Sequence, residues 1–432
     1  LLDAASMVVG NVVGAGIFLV SGMVASHVST PATFLALWVI GGLVALAGAF
    51  ANGELGALFP RGGGEYVYLR EAYGPLLGFL SGWASFWIGF PGSVATLAYG
   101  FSAALVHAFG LGGRATVGSI AILSVVVLTA LNAHGIRPSK WLQNALSLGK
   151  VLLLVAFVIV GFAAIPGSPG PERPAPQTSS GPLVLGFALL PILFSYSGWN
   201  VATYVAGEIR DPRRTLGRAL VLGTSLSIAL YVAVNALYVH ALSLPGLRGV
   251  NEPALVSFER LSSSGVRTAL GVLVAFSILG SLQATLVAGP RIYQAMAEDG
   301  LFFESLRRLD PRTRVPENGL FAQGAIAIVL LSTGSFERLL TFTTFAIVVF
   351  STLTVAAVPI LRRRLPLIER PFKTPLYPLL PLLFIAANVL VAVGVAKEGP
   401  TEAALGLVVV GAGVPLYYAF RGRFGRRHRH AH

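Results

Sequence analysis

The chain has 432 residues, 55% of them hydrophobic and only 11% charged, with a formal net charge of +13. A soluble domain carries about a quarter charged residues. This composition, with a mean hydropathy of +0.76, therefore excludes a water-dissolved globule and identifies an integral membrane protein. There is no cysteine, which excludes a disulfide or a thiolate metal site within the sequence.

A membrane-crossing helix needs about 20 mostly apolar residues. About twelve such runs are read along the chain, near residues 4–27, 32–58, 75–108, 115–134, 141–165, 182–207, 216–241, 266–296, 319–333, 338–361, 379–396 and 402–420. No cleavable signal peptide is read ahead of the first. That first run contains "VVGNVVGAGIFLVSG", Val8 to Gly22, with glycines at 10, 14, 16 and 22. Glycine weakens a helix interior by roughly 1 kcal/mol relative to alanine. Gly10 and Gly14 fit a packing face for a neighbouring helix, but Gly16 falls off that face, so a broken helix is the alternative.

The second run ends in "NGELGALFP", where Glu54 is either an ion-pair partner or part of an inner gate. The fifth holds Lys150 at membrane depth, where an ammonium costs at least about 2.5 kcal/mol unless it snorkels or finds partners. The sixth contains "FSYSGWN", Phe194 to Asn200, a poor helix centre and a good break. Tyr196 and Trp199 either shape a pocket there or pack. Glu208 closes the run and is expected to meet nearby arginines. Asn235 and Gln283 are read as interhelical hydrogen-bond partners.

Runs one and six hold the same place in two five-helix halves. Interrupted segments at matching places point to a transporter binding site. Unwinding a helix in lipid exposes N–H and C=O groups that need partners. A half-helix N-terminus suits a carboxylate and a half-helix C-terminus suits an ammonium, so an amino acid answers both ends.

The count is even, so both termini share a side. Arg61, Arg70, Arg137, Lys140, Arg210, Arg213, Arg214, Arg218, Arg291, Arg307, Arg308, Arg312, Arg314, Arg362, Arg363, Arg364, Arg370, Lys373 and the tail arginines lie on that side. The other side holds only Arg114, Arg173, Arg248, Arg260, Arg267, Arg338 and Lys397. The positive-inside rule places both termini in the cytoplasm, with the protein in the cytoplasmic membrane. The net charge thus reflects topology, and no nucleic-acid partner is expected. The terminal "HRHAH" is read as a solvated basic tail, and neither a metal nor a cofactor is expected.

"VVGNVVGAGIF", "ANGELGALFPRGGGEYVYLREAYGPLLGFLSGW", "WLQNALSLGK", "FSYSGWNVATYVAGEIRDPRRTLGRAL" and "RRRLPLIERPFKTPLYPLLPLLF" occur in fixed order. Together they resemble the amino acid–polyamine–organocation superfamily. The likeness is to its L-type amino acid transporter branch, the light chains of heteromeric transporters and their bacterial relatives. It runs from about Leu2 to Phe420.

The resemblance implies an all-α integral membrane fold of about twelve helices, a LeuT-like 5+5 inverted repeat with helices one and six broken, plus two further helices. The transporter domain would cover 1–420, with repeat one at 1–165, repeat two at 182–362, extra helices at 379–420, and a basic cytoplasmic tail at 421–432. The substrate carboxylate would meet backbone near Val13, Gly14, Ala15 and Gly16. Its amine would meet carbonyls near Val12, Phe194, Ser195 and Ser197. Phe194 would close over the substrate from outside, and Gly198 would lie beside the substrate side chain. Lys150 would fill the space of a coupling sodium ion, reaching unwound carbonyls near Gly14 and the hydroxyls of Ser277 and Ser281. Animal light chains carry an extracellular cysteine for a heavy chain; its absence here excludes a disulfide-linked heavy chain.

The expected function is alternating-access transport of an L-amino acid across the lipid bilayer, most simply sodium-independent exchange of small or medium neutral amino acids. No acid is read near the unwound segments, which disfavours cationic substrates. Proton-coupled symport, with Lys150 titrating, is the alternative. A channel would need polar rings along a pore, and an enzyme a nucleophile–base pair or metal set; neither pattern is present.

Overall fold

The computed structural model describes residues 1–165, 167, 182–258, 264–313, 315–333, 336–398 and 400–428. These form helices and connectors, with no strand among them. The proline-rich join around 168–181, which carries Arg173, and the tail residues 429–432 lie outside the described residues.

The first apolar run is a helix in three pieces: α1 (Leu2–Val12), α2 (Gly16–Leu19) and α3 (Ser21–Ala25). The second is α4 (Pro31–Leu58), whose start is set by Pro31 in the first turn and by Thr30, whose side chain accepts the Thr33 N–H at 3.1 Å. A short helix α5 (Glu65–Tyr73) follows Gly63 and Gly64, both at positive φ (109° and 49°), a turn that only glycine enters without strain. The third span runs from α6 (Pro75–Ala84) through a π-helical turn at Ser85–Gly89 into α7 (Phe90–Phe109). Then come α8 (Arg114–Ala133) and α9 (Ile136–Ala164). The sixth span is split into α10 (Pro182–Tyr196) and α11 (Val201–Tyr204). The second half continues with α12 (Pro212–Leu247), α13 (Pro253–Phe258), α14 (Ser264–Glu298), α15 (Glu317–Thr333) and α16 (Phe336–Arg364). Two more helices, α17 (Leu379–Glu398) and α18 (Pro400–His428), complete the described chain; the backbone of α18 is helical past residue 420.

Among the described residues, nine helices are long and apolar enough to cross a membrane, and two shorter apolar ones cover Glu317–Ser332 and Leu379–Gly394. With the split sixth span these account for the runs read from the sequence. The two halves interlock through equivalent members: α4 packs on α12, and α7 packs on α14. These pairs are the second and seventh, and the third and eighth, spans of the inverted repeat.

Two polar clamps hold the frame. Glu54, buried near the end of α4, accepts hydrogen bonds from Arg362 Nε (2.8 Å) and NH2 (2.7 Å) and from the Thr374 N–H (2.7 Å). A buried carboxylate is tolerated when so paired. At the end of α14, Asp299 accepts from Arg61 (2.8 Å), Tyr66 (2.6 Å) and Arg70. That second clamp fixes α5, and so fixes Glu65 at its first position. Between α8 and α14, Gln283 and Asn132 exchange amide hydrogen bonds at 2.7 and 2.8 Å. Asn235 departs from expectation: its amide donates to Tyr231 O within its own helix at 2.8 Å.

Candidate substrate site

The site grows from the two breaks. α1 ends at Val12, and Val13 takes φ −73°, ψ 82°, which turns the chain before α2 restarts at Gly16. In the sixth span the turn Ser197–Asn200 separates α10 from α11, with Gly198 at φ +96°. The breaks touch each other: Asn11 Nδ2 donates to Gly198 O at 3.3 Å, and Asn11 Oδ1 accepts from Thr285 at 3.0 Å.

The glycines of the first span turn out to be points of close approach to different neighbours. A Cβ at Gly10 would lie 2.0 Å from Ser147 Oγ, and one at Gly16 would lie 2.6 Å from Ser195 Cα. One at Gly22 would lie 2.1 Å from Val250 O. Gly14 is looser, with Ser281 Oγ at 3.0 Å. Gly16 is therefore needed for the contact between the breaks, whatever else its backbone does.

The carbonyls freed at the end of α1 are met by side chains from three helices. Lys150, fully buried on α9, donates to Gly10 O (2.6 Å), Val13 O (2.7 Å) and Ser281 Oγ (3.1 Å). Ser281 Oγ lies 2.9 Å from Gly10 O and 3.0 Å from Val13 O, and its single proton serves one of them. Ser277, one turn away, makes no hydrogen bond to the ammonium; its hydroxyl is buried without a protein partner. From α12, Tyr231 OH lies 2.7 Å from Val12 O and 2.9 Å from Ser195 O, its single proton serving one or the other, and so places one hydroxyl between the first break and the second. The Tyr231 ring is itself held against Trp38 and Tyr196, at centroid distances of 5.7 and 4.9 Å.

A cavity of about 110 Å³ lies between the breaks. Of the residues singled out in the sequence, Val12, Gly14, Ala15, Gly16, Phe194, Ser195, Ser197 and Gly198 line it. Val13 does not; its carbonyl is turned to Lys150. Lys150, Ser277 and Ser281 sit behind the lining. At the restart the Phe18 and Leu19 N–H groups donate to Ala15 O, each at 3.1 Å, while Ala15 and Gly16 themselves line the cavity. Trp199 instead packs edge-on against Phe384 at 5.8 Å and lines a smaller neighbouring cavity.

Sequence reasoning missed part of the lining: Asn11, Glu65, Ser85, Ser93, Asn200, Tyr204 and Thr285. Asn11 was legible as the one polar side chain inside "VVGNVVGAG". The π turn at Ser85–Gly89 had no local signal, although such turns gather at functional sites. Glu65 is the main correction. No acid was expected near the breaks, yet this carboxyl lines the cavity and is 7% exposed. The expectation failed because Glu65 belongs to a connector helix, and the glycine turn carries it back beneath the sixth span. Asn200 Nδ2 donates to Glu65 Oε1 at 3.1 Å and to Tyr204 OH at 2.9 Å. Burial raises the Glu65 carboxyl to about 7, only partly offset by the Asn200 hydrogen bond.

A family profile described as amino acid permease matches residues 1–414. The chain is 30% identical over 431 residues to the serine/threonine exchanger SteT of Bacillus subtilis (strain 168), covering 98% of this chain and 96% of the relative. It is 27% identical over 432 residues to b(0,+)-type amino acid transporter 1 of Mus musculus, covering 97% and 87%. It is 28% identical over 432 residues to large neutral amino acids transporter small subunit 2 of Mus musculus, covering 97% and 80%.

Proposed function

Because the chain belongs to the amino acid permease family, on the L-type-like branch of the amino acid–polyamine–organocation superfamily, we propose that it exchanges small or medium neutral L-amino acids by alternating access, without sodium. It is a multi-pass membrane transporter of amino acids and not an enzyme. The finer reading adds the substrate class, the coupling and the orientation: a cytoplasmic membrane with both termini inside.

The observation that carries the coupling is the Lys150 side-chain nitrogen, which lies within hydrogen-bond distance of Gly10 O, Val13 O and Ser281 Oγ. Unwound carbonyls of this kind coordinate a coupling cation in transporters with broken helices. Here a covalently attached cation already meets them, so the bend in helix one needs no ion from solution. The zwitterionic head of the substrate then has backbone donors near Gly16 and carbonyls near Phe194 and Ser197 at the cavity wall. One relative is named as a serine/threonine exchanger and the other two as amino acid transporters, and substrates the size of serine and threonine suit a cavity of modest size.

The test is counter-flow in liposomes loaded with unlabelled alanine or serine, with labelled amino acid outside and a pH dye inside. Exchange that needs an internal amino acid and ignores a sodium gradient is expected. Uptake into empty liposomes with acidification of the interior would replace exchange by proton symport.

A further inference from the structure

Glu65 is a buried carboxyl on the wall of the cavity between the two breaks. Among the described residues no lysine, arginine or histidine lies within ion-pair distance of it. The nearby basic groups are committed elsewhere: Arg61 and Arg70 to Asp299, Arg291 to Glu208, and Arg364 to Ala72 O at the far end of α5. The helix α6, packed against α5, has no charged residue. Two phenols lie within the reach of its charge, Tyr68 on its own helix and Tyr204 on α11. Among the described residues its one side-chain donor is the neutral Asn200 amide. An ionised carboxylate offers about four acceptor sites, so most of its capacity is unfilled. An unpaired buried charge is unfavourable until a proton or a cation joins it.

The surroundings decide which cation. Calcium or magnesium needs about six oxygen ligands, and one carboxyl with an amide is too few. Phe90 and Tyr204, edge to face at 5.2 Å, line the same cavity. They offer an apolar wall for a methylene stem and an aromatic face for an ammonium. We propose that Glu65 is an acidic subsite of the substrate cavity, taking the side-chain ammonium of a diamino acid whose zwitterionic head occupies the two helix breaks. With a neutral substrate, a proton takes that place, so binding a cationic side chain releases one proton from Glu65. The proposal rests on the transport reading given above and extends its substrate class.

The full chain in liposomes loaded with alanine is offered labelled alanine, diaminopropionate, diaminobutyrate, ornithine and lysine, a series that lengthens the stem by single methylenes. At least one diamino acid is expected to exchange, with its KM relative to alanine falling as pH rises through neutrality. Glu65→Gln should raise that KM ratio by about thirtyfold or more, the scale of leaving a buried charge without its partner. Glu65→Asp keeps the charge but withdraws it, and should shift the preferred substrate to a longer stem. Alanine exchange with no diamino acid exchange at any pH overturns the subsite alone. Equal changes for alanine and diamino acids in Glu65→Gln also overturn it. Loss of alanine exchange in the wild type overturns the transport reading with it.

Discussion

Replacing Lys150 by methionine separates the charge from the packing. Methionine has similar length and flexibility, so it fills the space beside Gly280, where a Cβ would already lie 2.6 Å from Lys150 Cε. The ammonium and its contacts with Gly10 O, Val13 O and Ser281 Oγ are lost. The Ser281 proton then serves one carbonyl, and the other is left buried without a donor. Such a group costs roughly 1–3 kcal/mol. If substrate binds only when helix one is bent at Val13, that cost lowers affinity by about 5- to 150-fold. Thermal stability should change less than affinity, because removing a buried charge also removes its desolvation cost. The assay is alanine exchange in liposomes, with KM determined from each side and melting followed in detergent. The effect should be larger for the cytoplasmic face, toward which the α1 half of helix one is proposed to lead. Wild-type KM on both faces in Lys150→Met would refute the built-in cation and return Lys150 to a lysine that merely tolerates its place.

Tyr231→Phe keeps a ring packed between Trp38 and Tyr196 but removes the hydroxyl shared by Val12 O and Ser195 O. Affinity should fall about fivefold or more, and unchanged substrate binding by calorimetry would exclude a role in joining the breaks. Gly16→Ala places a methyl 2.6 Å from Ser195 Cα, where backbone cannot give way. Overpacking of this kind destabilises by about 1–3 kcal/mol, so melting temperature and transport should drop together. Phe194→Ala removes an aromatic wall of the cavity, and both affinity and exchange rate should decline; a wild-type rate would remove Phe194 from the gate. Burial raises Glu65 from 4.5 to about 7, so the folded state holds that proton more tightly than the unfolded state. Its contribution, about 3 kcal/mol from this shift, is complete below the unfolded value and is lost as pH rises through about 7. A pH series of melting temperatures should show a decline that flattens in Glu65→Gln.

The spans, the positions of the two breaks and the buried lysine were all legible from one line of residues. Each is a local property: apolar length sets a span, glycines at 14 and 16 and the "SGWN" turn weaken a helix where they stand, and a charge among apolar neighbours declares itself. The partners of those features were not legible, because they are far apart in the chain. Lys150 meets Gly10 across 140 positions, Tyr231 meets Val12 across 219, and Asn200 meets Glu65 across 135. No periodicity carries such pairings; they are set by how the two inverted halves pack, α4 on α12 and α7 on α14. That packing assigned Ser281 rather than Ser277 to the ammonium, turned Gly16 into a point of contact with Ser195, and turned the Val13 carbonyl away from the cavity. It also brought Glu65 to the cavity wall. An acid in a connector reads as solvated until tertiary structure folds its helix inward, and the clamp of Arg61, Tyr66 and Arg70 on Asp299 does that. Charge and hydropathy place a residue in water or lipid, but only the folded contacts decide whether a carboxyl has a cation beside it or a space left for one.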